Sequence, residues 1–305
     1  LRSAQAIKNW DWHSQEIYPL RREAMSHLKS ALSDNDMPPQ EVLANCTALL
    51  DATDSNSQQF PDAYQSMEEP LFKNFSRTAI PYAVKGHFNV GYAWLARGHG
   101  YSDSVSQEGA KPFAQRLGIA AEALEKAWKM DSTEPFIPTR MISVRGEGRD
   151  QMELWFQRAM KANPRNVQAC KNKLNYLKLQ WYGSYEEMVA FRRECVTNAA
   201  WSGYVTSFLV DVHQSIADMS KEGRNYWKRP GVWEDIHAAF EEFFRRNPEV
   251  VSSRYNYAWY ANACEGWDVV NQQLPLLSEP INYNYFGGRE SFELMRKNSK
   301  AHTKK

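Results

Sequence analysis

The chain has 305 residues, enough to bury a sizeable core as one large domain or two small ones. Its 37 Lys and Arg against 36 Asp and Glu leave a formal net charge of +1. That balance argues against wholesale binding to nucleic acid or to an anionic membrane surface, since both draw on a marked basic excess. No apolar run reaches the length of a membrane-spanning helix. The chain opens at Leu1 rather than at a Met, so a leader ahead of it stays open, and with it the choice between cytoplasm and periplasm.

Taken in chain order, Leu1 to Leu32 reads as helical, and Met37 to Pro39 breaks it. Gln40 to Leu50 reads as a second helix, and Asp51 to Pro61 as an exposed, turn-rich loop rather than a domain boundary. Phe88 to Ala96 is a further helix, and three segments after it share one pattern: Ala120 to Pro135, Gln151 to Asn166 and Ile236 to Val251. In each, a bulky apolar residue is followed three positions on by another apolar residue: Leu124 with Ala127, Phe156 with Ala159, and Phe240 with Phe243. Three apart is one helical turn, so each pair shares a face. Pro164 and Pro248 then stop the second and third helices. Gly183 to Val196 is a looser copy with Phe191 and Cys195, capped by Ser184 and carrying Glu186 and Glu187 in its first turn.

The opposite hairpin arms are Val167 to Leu179 and Ser252 to Cys264, with Gly266 expected as the C-cap of the latter. The first two copies are spaced near the 34 residues of a TPR unit. The later spacings are longer, with an insertion at Met219 to Trp233. The strand signal is weak throughout; Ile281 to Phe286 offers a short β pairing, and Ile281 to Gly288, with Tyr283, Tyr285 and Phe286, alternatively caps the end of the array. The basic stretch Arg296 to Lys305 reads as a frayed terminus. The expected fold is therefore all-α: a TPR-like α-α superhelix, a solenoid of antiparallel hairpins over residues 1–305, less regular over 1–80 and repeat-bearing over 81–290.

Ala93-Trp94-Leu95-Ala96-Arg97-Gly98 and Trp181-Tyr182-Gly183-Ser184, with the Tyr255 to Asp268 and Asn282 to Phe292 segments, carry a resemblance. Over roughly the last two-thirds of its length the chain resembles an uncharacterised bacterial family of TPR-related helical domains. The resemblance implies the helical fold. It implies no activity, because the family has no assigned catalytic residues to carry over.

The residues themselves offer little chemistry. None of the seven His residues sits in an HExxH motif, and Cys46, Cys170, Cys195 and Cys264 form no CxxC pair. No metal site or cofactor is expected, and the cysteines read as buried, reduced thiols. Arg145 to Arg149 lacks the Lys-Ser/Thr of a phosphate loop and reads as a turn, as does Arg97 to Gly100. The adjacent acid pairs Glu68-Glu69, Glu186-Glu187 and Glu241-Glu242 point in different directions on a helix and read as solvated. From Arg254 to Tyr260, Tyr255, Ala258 and Trp259 share one side, while Tyr257 and Tyr260 share another near Arg254. That second side either lines a groove or packs between helices.

The expected function is a protein- or peptide-binding scaffold. Gln168, Lys171, Asn175, Lys178, Arg254, Tyr257 and Asn262 would face the groove and hold a carboxylate or an extended backbone. The alternative is a hydrolase-like enzyme assembled from distant acidic residues and His87, His99 or His213. A third is an array that only spaces or assembles other components.

Overall fold

The computed structural model describes residues 17–34, 37–53, 59–97, 107–144, 148–178, 181, 183–198, 201, 210–220 and 222–302. Among them there are helices, turns and bends but no strand. The α-helices are α1 (Ile17–Asp34), α2 (Pro39–Asp51), α3 (Gln59–Phe75), α4 (Ile80–Arg97), α5 (Gln107–Met130), α6 (Phe136–Met141), α7 (Arg149–Ala162) and α8 (Val167–Tyr176). They continue with α9 (Tyr185–Thr197), α10 (Val210–Met219), α11 (Val232–Arg246), α12 (Ser252–Ala263), α13 (Trp267–Gln273) and α14 (Arg289–His302). No described helix is long and apolar enough to cross a membrane. The chain divides into two compact units, Leu1–Asn163 with Lys171–Tyr176, and Pro164–Cys170 with Leu177–Lys305.

In the first unit, contacts between α4 and α5 run in opposite directions along the two helices. Lys126 lies over Tyr82 at 4.1 Å, Arg116 over Tyr92 at 3.3 Å, and Phe113 meets Trp94 edge-on at 5.2 Å. The pair is an antiparallel hairpin. It packs closely because Gly86 presents no side chain to Leu124: a Cβ there would sit 2.7 Å from Leu124 Cδ2 and closer still to Cγ. Helix α3 pairs antiparallel with α4 through Tyr64 stacked on Phe88 at 4.2 Å and Phe72 edge-on to Tyr82 at 5.2 Å. Ser66 meets Met25, and Asn74 donates to the Leu32 carbonyl, so α1 and α3 run parallel. The expected helical faces bury Leu124, Ala127, Phe156 and Ala159 completely. Gly148, at φ 86°, precedes α7 in the left-handed region that the expected turn requires.

In the second unit, α11 and α12 form the corresponding antiparallel pair: Phe240 stacks on Tyr257 at 4.5 Å, and Arg254 lies over the Phe244 ring at 4.3 Å. Phe240 and Phe243 are buried, as are Phe191 and Cys195 on α9. The Ser184 hydroxyl accepts from the Glu187 N–H at 3.2 Å, the expected N-cap.

Four local expectations are corrected. Residues 283–286 form a 3-10 turn rather than a strand, because the Asn282 side chain captures the Asn284 N–H. The basic stretch from Arg296 is helical through His302, since Phe292, Met295 and Ser299 form a buried stripe. The α12 C-cap is Cys264, the left-handed residue after it is Glu265, at φ 61°, and Gly266 comes one position later; a Cβ at Gly266 would press on the Trp233 ring at 2.6 Å. Gln59 to Pro61, expected in a loop, is the first turn of α3. Leu1 to Glu16, the middle of the expected loop at 54–58, Gly98 to Gly100 and Arg145 to Glu147 lie outside the described residues.

Candidate functional site

The 3-10 turn Gly223–Lys228, the end of α12, the start of α13 and the outer turns of α14 enclose a cavity of about 530 Å³. Three indoles, Trp227, Trp259 and Trp267, and three amides, Asn225, Asn262 and Asn298, line it. Trp227 is held edge-on to Trp259 at 5.7 Å and to Tyr226 at 5.4 Å. Trp267 stacks on His302 at 4.9 Å. These contacts fix the rings before any ligand arrives. Lys228 Nζ lies 2.5 Å from Glu265 Oε1, so these two charges of the lining largely cancel. What remains, beside the Arg224 guanidinium and the Ser291 hydroxyl, is chemistry that holds: flat apolar faces, and side-chain amides that each donate and accept.

A second cavity of about 360 Å³ in the same unit contains His213, Tyr226 and Asp235. His213 Nδ1 lies 2.7 Å from the Tyr226 hydroxyl and Nε2 lies 3.5 Å from Asp235 Oδ2, while Arg193 Nε approaches Asp235 Oδ1 at 3.8 Å. A tautomer with the proton on Nε2 points it at the carboxylate and leaves Nδ1 to accept from the phenol. Both His213 and Tyr226 are only 2% exposed, so the network is part of the cavity wall with little access to solvent.

In the first unit, His87 Nε2 lies 3.1 Å from Asp51 Oδ1, and its ring packs against Phe136 at 5.4 Å. Burial lowers the His87 pKa, the Arg140 charge lowers it further, and Asp51 opposes both, so the imidazole is neutral at pH 7. Burial also lowers the Arg140 pKa, with Asp51 opposing, but a guanidinium starts too high to lose its proton. Among the described residues, no group of three or more His, Cys, Asp or Glu side chains is placed to hold a metal ion.

The residues anticipated for a groove fare unequally. Gln168, Lys171 and Asn175 are exposed on one stripe of α8, and Lys178, half-buried, follows that helix. Asn262 lines the aromatic cavity. Tyr257 does not face a groove: it is fully buried, its hydroxyl donating to Glu241 Oε1 at 2.8 Å and lying 2.5 Å from His237 Nδ1. The ring sits between α11 and α12, where the pull to bury an aromatic exceeds any gain from display. Arg254 is likewise committed, to Gln273 Oε1 at 3.0 Å, the Pro248 carbonyl at 3.1 Å and the Phe244 ring. His213 and Asp235 come together while His87 and His213 lie in different units, and His99 lies outside the described residues.

Sequence reasoning missed Trp227, Trp267 and Asn298. Asn298 follows the Phe292, Met295, Ser299 stripe, whose helical spacing was the available signal. Trp227 stands in a segment rich in turn residues, where periodicity has nothing to report. Comparison of the chain with protein-family models, with curated proteins and with solved structures found no match.

Proposed function

We propose that the chain is a binding scaffold, a TPR-like array of helix hairpins related to the bacterial family it resembles, and that it holds an extended polypeptide segment without transforming it. One observation carries the reading: the second unit gathers three fixed indoles and three asparagine amides around one cavity of about 530 Å³. An extended peptide offers alternating N–H and C=O groups that amides of this kind satisfy, and side chains that indoles cover. The volume matches a few residues of such a segment. The antiparallel α4–α5 and α11–α12 pairs are the units a TPR-like array would stack.

Selection from a random peptide library, followed by titration of the chosen peptide, tests this. Asn262→Ala and Trp259→Ala should each weaken binding by about tenfold, a loss of about 1.4 kcal/mol, with circular dichroism unchanged. Peptides that bind both variants as tightly as the native chain would reject the site. The hydrolase-like alternative is favoured by the Tyr226–His213–Asp235 series alone. Its burial supports a structural network instead, and turnover of a model ester that His213→Asn abolishes would restore the enzymatic reading.

A further inference from the structure

The aromatic cavity of the second unit is lined by polar groups that the chain itself leaves unused. Among the described residues, no hydrogen bond or ion pair engages the side chains of Arg224, Asn225, Asn262, Ser291 or Asn298, nor the N–H groups of the three indoles. An indole N–H and a guanidinium only donate, whereas an amide or a hydroxyl does both. Among the described residues of the lining, Glu265 brings the only carboxylate, and Lys228 already holds it at 2.5 Å. The wall is therefore richer in open donors than in open acceptors, and it suits a ligand of the opposite balance.

Most residues of a polypeptide offer one N–H and one C=O, but a proline keeps the carbonyl and has no N–H. A polyproline II segment makes no internal hydrogen bonds, so its carbonyls stay open to outside donors. It is also extended before it binds, and so loses little conformational entropy on docking. The shape of the wall agrees. The Trp227 and Trp259 ring planes cross at 88° with centroids 5.7 Å apart, and Trp267 is steadied by its stack on His302. These are flat, fixed faces for pyrrolidine rings to rest on. Charge adds a second requirement. Lys228 and Glu265 cancel, which leaves the exposed Arg224 guanidinium as the net charge of the lining. A carboxylate answers it with paired hydrogen bonds. A neutral oligosaccharide would stack on the indoles equally well but would leave that cation unanswered.

We propose that the segment held in this cavity is proline-rich and carries one acidic side chain. Its pyrrolidine rings lie against the indoles, its carbonyls accept from the asparagine amides and indole N–H groups, and its carboxylate pairs with Arg224. Aromatic-lined grooves are a recurrent docking place for segments of this kind. The inference rests on the reading of the cavity as a peptide site and names the class of peptide.

Titration calorimetry of the full chain tests this with three short peptides, each blocked at both ends. The first is a run of prolines around one glutamate, the second replaces the glutamate by glutamine, and the third replaces the prolines by alanine. The first should bind saturably, the second severalfold more weakly and the third at least tenfold more weakly. Trp259→Ala should weaken the first at least tenfold. Because that variant alters packing against Trp227, Arg224→Gln, at an exposed position, serves as the second: with an unchanged melting temperature it should bind the glutamate and glutamine peptides equally. Equal affinity of the native chain for the proline and alanine peptides, a glutamate preference that survives Arg224→Gln, or tighter binding of cellohexaose than of the first peptide overturns the proposal. If none of the three saturates while a library-selected peptide without proline binds and is lost in Trp259→Ala, the proline assignment falls and the scaffold reading stands. If no selected peptide binds either, both fall.

Discussion

Adding one methyl group at Gly86 tests the packing of the first unit. On an open helical surface Gly→Ala stabilises by about 1 kcal/mol, through backbone entropy. Gly118, on α5 of the same pair, meets that condition, with no atom within 4 Å of an added Cβ. At Gly86 the added carbon would press on Leu124 Cγ and Cδ2. Turning χ2 moves only the Cδ atoms, so relief requires a new χ1 rotamer in a site where Leu124 is 0% exposed. Overpacking of this kind costs about 1–3 kcal/mol, and the blocked rotamer places it in the upper half. After subtracting the propensity gain, Gly86→Ala should lose about 1–2 kcal/mol while Gly118→Ala gains about 1. Leu124→Ala alone should cost about 2–5 kcal/mol through its cavity. The double variant should cost about 1–2 kcal/mol less than the sum, because the new methyl fills part of that cavity. Urea unfolding followed by circular dichroism and tryptophan fluorescence measures all four. If Gly86→Ala is stabilised to the same degree as Gly118→Ala, α4 and α5 do not meet as described.

Other predictions follow from buried groups. His87 refuses a proton that the unfolded chain accepts, so its contribution is whole above about pH 6.5 and declines below it, by up to about 1.4 kcal/mol per pH unit; His87→Gln should flatten the native stability profile between pH 6.5 and 5, and an unchanged slope would show that His87 is not the group responsible. Burial pushes the Cys46 and Cys264 thiols up to about 12, so at pH 8 iodoacetamide should label neither at an appreciable rate, whereas all four cysteines should react in denaturant; rapid native labelling of Cys46 would contradict its burial. Tyr257→Phe removes the hydroxyl from Glu241 and His237 and should cost about 1–2 kcal/mol in thermal or urea unfolding; no loss would mean that the hydroxyl is not held there.

Much of the helical architecture was legible because a helix advertises its buried face at short range. Leu124 with Ala127, and Phe240 with Phe243, need only the 3.6-residue period to be placed on one side, and all four are buried. The Ser184 cap was legible for the same reason, since its partner is the N–H three residues on. The α14 stripe carried the same signal, but the run of charges around it reads as a solvated tail.

Longer-range pairings escaped. Tyr257 and Tyr255 lie on different sides of α12, and both are buried, one against α11 and the other beneath the Ser278 to Phe286 segment. Period alone marks a face as apolar or aromatic; it does not say how many neighbouring helices will cover it. Arg140 is the stronger case. Its surroundings come from residue 87, about fifty positions before it, and residue 172, about thirty after it. Helix type and the inward turn of its largest side chains are set by interactions within a few residues, and these the amino-acid order determined alone. The aromatic cavity and the buried guanidinium arise only where separate helices meet, because charge, burial and room for a ligand belong to the assembled surfaces, and these the tertiary structure decided.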